Sequence, residues 1–183
     1  MTAAVRHLVL VLGDQLWADN PALAGFDPAQ DLVLMIEAPG EATEVWSHRS
    51  RIAVFLAAMR HWRAALQARG LPLRYIELDD PALTDAPLLT DRLARVLQAT
   101  RPQALWVCEA GEWRLQQAID ATAQAAGVPL RWFDDTHFLC SKARFARWAQ
   151  GRKEWRMEYF YREMRREHGV LMEGTEPLGG QWT

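Results

Sequence analysis

The chain has 183 residues and only two cysteines, Cys108 and Cys140, with no C-x-x-C pair. That is too few for a disulfide scaffold, and a reducing, cytoplasmic setting is the expectation. No run of about 18 apolar residues occurs, so no membrane-spanning helix and no membrane partner is expected. The opening Met-Thr-Ala-Ala-Val-Arg-His leads straight into an apolar run and lacks a secretory core. Neither G-x-G-x-x-G nor G-x-x-x-x-G-K-[ST] is present, which weakens dinucleotide and nucleoside-triphosphate readings. Histidine is scarce and scattered. His48 and His61 lie too far apart on one helix to share a metal, and Asp134-Asp135-Thr136-His137 reads as a polar loop. Cys108 stands at a strand end without a base and reads as a small buried hydrophobe. No Ser–His–Asp arrangement survives, so no catalytic residue is assigned.

What is present is a core. Half of the residues are hydrophobic, enough for one domain or one domain with an appendage. The organising stretch is residues 7–16, His-Leu-Val-Leu-Val-Leu-Gly-Asp-Gln-Leu. Its apolar, partly β-branched run reads as a strand buried on both faces of a parallel sheet. Gly13 ends it, to turn the backbone or to admit a close neighbour. Further strands are expected at 32–37, 73–78, 104–108 and 130–133. A helix begins near 44–47 and ends before Gly70, with Ile52, Phe55, Leu56, Met59, Trp62 and Leu66 along one stripe and Arg60 and Arg63 opposite. Thr90 or Asp91 caps a second helix, another spans about 112–126, and Ser141 caps a short one to Gln150. A basic aromatic helix is expected over about 153–168. Alternating strands and helices predict an α/β fold, a doubly wound Rossmann-like parallel sheet with helices on both faces. Residues 1–150 form the α/β domain in this reading, and 151–183 a basic helix and linker.

Three strand ends converge if the fold is right: Gly13, Asp14 and Gln15; then Glu37, with Glu41 in the loop after it; then Gly111 and Glu112. In open α/β sheets that edge binds ligands. Carboxylates, an amide and free backbone N–H groups suit a neutral polyhydroxylated or heteroaromatic ligand. The alternative is that the acids merely cap helices.

Charge is uneven. Residues 142–168 hold nine Lys/Arg against four Asp/Glu, while the chain as a whole is at −2. Aromatics interleave with these cations, as on a nucleic-acid or interdomain surface. Equally, the segment can be a solvated amphipathic helix with Met157, Phe160 and Met164 inward, a Glu158–Arg162 pair outside and a like-charged Glu163–Glu167 pair. The tail from 174 lacks periodicity and reads as cut short, with Trp182 having nothing of its own to pack against.

Five motifs in order extend the reading: Leu-Gly-Asp-Gln-Leu at 12–16, Glu-Ala-Thr-Glu-Val at 41–45, Ala-Met-Arg-His-Trp at 58–62, Gly-Glu-Trp-Arg at 111–114 and Met-Glu-Tyr-Phe-Tyr-Arg-Glu-Met-Arg-Arg at 157–166. Together they resemble the N-terminal part of the deoxyribodipyrimidine photolyase-related proteins, the bacterial iron–sulfur cryptochrome and (6-4) photolyase branch. The resemblance implies an antenna domain that holds 6,7-dimethyl-8-ribityllumazine and passes excitation to a flavin. FAD, the iron–sulfur cluster and the lesion pocket would belong to a C-terminal flavin-binding domain that this chain lacks, and DNA would be met only through the full-length protein. By motif position the resemblance implies a lumazine site at Gly13, Asp14, Gln15, Ile36, Glu37, Glu41, Phe55, Gly111 and Glu112. Phe55 is bulky there and could fill the ring site, which leaves a structural docking domain as the alternative.

Overall fold

The computed structural model describes residues 4–43 and 47–182. Two compact units divide the chain, residues 1–137 and 138–183. The division falls after His137 rather than after Gln150, because the helix expected at 142–150 packs with the basic helix that follows it.

In the first unit, β1 (His7–Leu10), β2 (Leu32–Ile36), β3 (Leu73–Ile76), β4 (Ala104–Cys108) and β5 (Leu130–Phe133) form one parallel sheet. The order is β3-β2-β1-β4-β5, the Rossmann-like arrangement that right-handed crossovers produce. Period-2 alternation divides the apolar residues between two faces. Leu8, Leu10, Leu34, Leu105 and Val107 meet α3 (Leu89–Thr100) and α4 (Trp113–Ala125). Val9, Val11, Val33 and Met35 meet α2 (Arg49–Ala68) and a 3-10 turn at Pro21–Leu23. A short helix, α1 (Pro39–Thr43), occupies the loop after β2.

Helix ends follow local chemistry. His48 caps α2, its Nδ1 accepting from the Ser50 N–H at 3.2 Å. Residues 44–46, where the start was expected, lie outside the described residues. Gly70, at φ +76°, closes α2: its N–H donates to Gln67 at 2.9 Å and that of Leu71 to Leu66 at 3.2 Å. This is a Schellman ending, which glycine enters without a Cβ penalty. The cap of α3 is Leu88, not Thr90 or Asp91. Asp91 instead reaches back from the first turn to accept from the Leu88 N–H at 3.2 Å.

At the opposite edge from the strand ends, Asp31 ties the start of β1 to the loop before β2. Its buried carboxylate accepts from Arg6 at 2.8 and 2.6 Å, from the His7 N–H at 3.1 Å and from the Asp27 N–H at 2.8 Å. Burial alone would raise the carboxyl, but these donors outweigh it and hold it at about 2. A depressed acid stabilises the fold above its ordinary pKa and loses that contribution as pH falls through the folded value. Asp31→Asn is therefore expected to cost about 2 kcal/mol at neutral pH. Denaturant melts of both proteins should show the gap closing between about pH 4 and 2; a gap that persists at pH 2 rules out Asp31 ionisation as its source.

The second unit holds α5 (Lys142–Ala149), α6 (Met157–His168) and a hairpin of β6 (Met172–Glu173) and β7 (Glu176–Pro177). Ser141 caps α5 as expected, accepting from the Arg144 N–H at 3.1 Å. Phe160 packs between Phe145 and Trp148, at ring centroid distances of 5.2 and 4.9 Å. The basic helix starts at Met157 rather than near 153, and Met157 is exposed on its first turn instead of packing inward. Glu158 pairs with Arg162 as expected. Glu163 and Glu167 are not left to repel each other, because Arg144 bonds both, at 3.3 and 2.8 Å. Arg152 and the Trp148 indole N–H also donate to Glu163, each at 3.1 Å. Arg156 is paired with Glu154. All four glutamates of the segment are thus used within the unit. Trp182 also has a partner, contrary to the expectation. The guanidiniums of Arg162, Arg165 and Arg166 stand 5.5, 5.1 and 4.7 Å from its ring centroid.

Candidate functional site

At the carboxyl edge of the sheet, the loops after β1, β2 and β4 enclose a cavity of about 290 Å³. Every expected site residue except Gln15 lines it: Gly13, Asp14, Ile36, Glu37, Glu41, Phe55, Gly111 and Glu112. One turn-spaced stripe of α2, Ile52, Phe55, Leu56 and Met59, forms an apolar wall. Leu12, Leu89 and Leu115 face into the same space. Polar groups, Asp14, Glu41, Ser47, Arg51 and Glu112, complete the lining. An apolar slot with a few polar groups is the usual form of a small-molecule site. Phe55 lines the cavity without closing it.

Gly13 is explained by space, not by turning. A Cβ there would lie 2.3 Å from Phe55 Cζ and 3.0 Å from Met59 Sδ. Gly111 is less constrained: a Cβ would stand 3.4 Å from Asp14 Oδ2, an ordinary contact. It brings the β1 and β4 loops together at the point where strand order reverses.

Glu37 and Gln15 have other work than ligand contact. The Glu37 carboxylate is fully buried and accepts from Arg60 Nε at 2.8 Å, Arg60 Nη2 at 2.9 Å, the Leu78 N–H at 2.8 Å and the Tyr75 hydroxyl. Both oxygens are therefore occupied by protein donors, and the carboxylate cannot also hold a ring nitrogen. Burial alone would raise this carboxyl; Arg60, Tyr75 and Leu78 outweigh it and keep it below the usual range. The Tyr75 phenol is pushed above its ordinary value by burial and by Glu37. Gln15 is 3% exposed and faces β4, its amide donating to the carbonyls of Cys108 and Glu109 at 3.0 Å each. It fixes the two loops to each other and does not reach the cavity.

Asp14 is exposed by area, yet surrounding protein displaces enough water to raise its carboxyl above the usual range, and Asp135 adds repulsion. Glu112 accepts from Arg114 at 2.7 Å across the start of α4. Both remain acceptors suited to hydroxyl or N–H donors. Cys108 is fully buried and its thiol is pushed up to about 12 by burial, then by Asp135. A thiol at that value is a poor nucleophile. Among the described residues no group of three or more His, Cys, Asp or Glu is placed to hold a metal ion, and no helix is long and apolar enough to cross a membrane.

Sequence reasoning missed Arg92. It is 1% exposed and donates from Nε to Ala86 at 2.9 Å, from Nη1 to Glu37 and Glu77 at 2.8 Å each, and from Nη2 to Leu78 and Leu83 at 3.1 and 3.5 Å. Five carbonyls from the ends of β2 and β3 and from the following loop converge on one guanidinium. It also missed Arg51, Leu89 and Leu115. The last two occupy first turns of helices that follow strand ends, a position that could have marked them.

The family model for deoxyribodipyrimidine photo-lyase-related protein matches residues 9–183. A (6-4) photolyase of Agrobacterium fabrum (strain C58 / ATCC 33970) is 42% identical over 178 residues, covering 97% of this chain and 35% of that protein. The chain thus spans about a third of the length of the curated relative it matches. The match runs through the strand-end loops that build the cavity and on through α6, so the five motifs noted in the sequence all fall within it. On this match the chain belongs to the deoxyribodipyrimidine photolyase-related protein family.

Proposed function

We propose that this chain is the N-terminal light-harvesting domain of a photolyase-related protein and that its cavity binds 6,7-dimethyl-8-ribityllumazine. The observation that carries this reading is the cavity at the strand ends, an apolar slot with carboxylates and a serine beside it. A bicyclic heteroaromatic ring would lie between the α2 stripe and Leu12, Leu89 and Leu115. Asp14 and Glu112 would accept from ring N–H or ribityl hydroxyl groups. A rigid slot would also fix the chromophore's orientation, on which dipole-coupled transfer depends. When bound, the lumazine would supply blue-light absorption. The flavin that receives the excitation, and any repair of DNA, would belong to a C-terminal domain beyond this chain.

The alternative is a docking role, with Phe55 closing the pocket and the 142–168 surface meeting a catalytic domain or DNA; the cavity that Phe55 lines supports the antenna reading over it. The test is an absorption and fluorescence titration of the chain with the lumazine. Saturable binding at about micromolar concentration is expected. It should be lost in Gly111→Trp, whose indole would enter the space between the β1 and β4 loops. A folded protein that shows no saturation up to about 100 µM overturns the reading.

A further inference from the structure

Resting on that reading, we infer that Phe55 is a width filter: it limits the cavity to bicyclic chromophores and excludes tricyclic flavins. Phe55 is the largest side chain of the α2 wall, and its ring abuts the β1 loop. In front, Cζ and Cε1 stand 2.3 and 2.8 Å from where a Cβ on Gly13 would lie. The ring therefore already occupies the space that a side chain of residue 13 would fill. Met59, 1% exposed and one turn further along α2, stands beside the same point, its Sδ 3.0 Å from it. On the side of Gly13 the ring has no slack, because it already meets the backbone there, and Val11 and Leu12 before it are buried at 1% and 2% exposure.

The remaining space, about 290 Å³, is at the lower end of the range of about 300–1,000 Å³ for small-molecule sites. The two candidate ligand classes differ in one respect that matters here. A ribityllumazine and riboflavin share the pyrimidinedione edge and the ribityl chain, so Asp14, Glu41, Ser47 and Glu112 offer both the same polar partners. They differ at the far end of the ring system. The lumazine carries two methyl groups there, whereas the flavin carries a fused dimethylbenzene ring. Discrimination must then come from the apolar walls. Of these, Phe55 carries the rigid ring of the α2 wall, and that ring already meets the Gly13 backbone, so it yields less readily than the flexible Ile52, Leu56 and Met59 around it.

The experiment compares dissociation constants of 6,7-dimethyl-8-ribityllumazine and riboflavin for the wild-type chain, Phe55→Leu and Phe55→Ala. Circular dichroism and melting would first establish that each protein is folded. Wild type should prefer the lumazine by about 30-fold or more, a ratio within reach of apolar pocket discrimination. Phe55→Ala should reduce that preference at least tenfold, mainly by tightening riboflavin, with Phe55→Leu intermediate and less exposed to a folding defect. Comparable riboflavin and lumazine binding by wild type overturns the filter. So does a preference that is unchanged in both folded variants; lumazine binding would then still stand, and the discrimination would lie elsewhere. Binding of neither ligand by any of the three proteins overturns both the filter and the antenna reading. Riboflavin binding gained by Phe55→Ala when the wild type binds neither ligand overturns the lumazine reading and, with it, the filter as a selector of bicyclic rings.

Discussion

Arg92→Met is expected to lower the stability of the chain by about 2–3 kcal/mol, a fall in Tm of roughly 8 °C. The side chains are similar in length and the methionine would fill much of the volume, so the loss would not come from a cavity. It would come from carbonyls. All five N–H groups of Arg92 are used, and each goes to a main-chain oxygen rather than to a carboxylate. The Glu77 and Leu83 carbonyls keep the Asp80 and Ala86 N–H groups at 3.3 and 3.0 Å, but those of Glu37, Leu78 and Ala86 lose the donor that Arg92 supplies, and each buried group left unpaired costs free energy of order 1 kcal/mol. The desolvation that Arg92 itself no longer bears offsets part of the sum, which is why the expected figure is below the gross total. Arg92→Lys should recover part of the loss, since an ammonium supplies three donors from one point and cannot span the five oxygens. Thermal and urea unfolding of the three proteins would decide it, and a loss below about 1 kcal/mol for Arg92→Met would show that water replaces the guanidinium. A functional consequence follows as well. Leu78 and Leu89 line the cavity beside Glu37, and Arg92 holds the carbonyls of Glu37, Glu77 and Leu78 together. Ligand affinity should therefore fall in Arg92→Met even below its melting temperature.

The sheet was legible because its signal is short and strong: apolar runs bounded by polar turns, each followed by a helical stripe. The crossover rule then leaves few strand orders, and the observed one is among them. The site was legible to the extent that strand-end loops must meet at one edge. What pattern reading could not distinguish is a carboxylate available to a ligand from one already engaged. Glu37 and Glu112 look alike in the sequence, yet one is buried under an arginine, a tyrosine and an amide while the other is exposed beside Arg114 at the start of α4. The reason is that the decisive partner, Arg60, lies on what periodicity marks as the polar side of α2. A long side chain at the flank of a stripe can turn back to the sheet and keep its stem on apolar surface, and no heptad-scale pattern records that choice. Arg92 was missed for the same reason: a charged residue inside a helical stripe reads as exposed unless its carbonyl partners, which come from distant loops, are known. Trp182 and the Glu163–Arg144 network show the converse in the second unit, where non-local pairing ordered residues whose local pattern was uninformative.

Gly13→Ala is expected to force the closest contact that a methyl group on any described glycine would make. The added carbon would fall 2.3 Å from Phe55 Cζ, closer than unbonded carbons approach, and the atom it meets belongs to a rigid ring rather than to a flexible chain end. Gly13 is not among the residues with positive φ, so alanine brings no backbone strain and the effect isolates the clash. With Met59 beside it and the β1 loop in front, the ring is expected to give way by rotating toward the empty volume it lines. Two effects are then expected together: a loss of about 1–3 kcal/mol of stability from overpacking, and a fall of about 100-fold or more in lumazine affinity as the ring enters the slot. The pair also makes a cycle. Phe55→Leu shortens the obstructing side chain, so the double variant Gly13→Ala/Phe55→Leu should be more stable than the sum of its single changes by about 1–2 kcal/mol. Its affinity for the lumazine should exceed that of Gly13→Ala alone. Strict additivity in unfolding free energies would mean that the methyl group is accommodated elsewhere, by movement of the β1 loop. In that case riboflavin and lumazine affinities should fall together in Gly13→Ala, because the polar groups of Asp14 would move with the backbone that carries them.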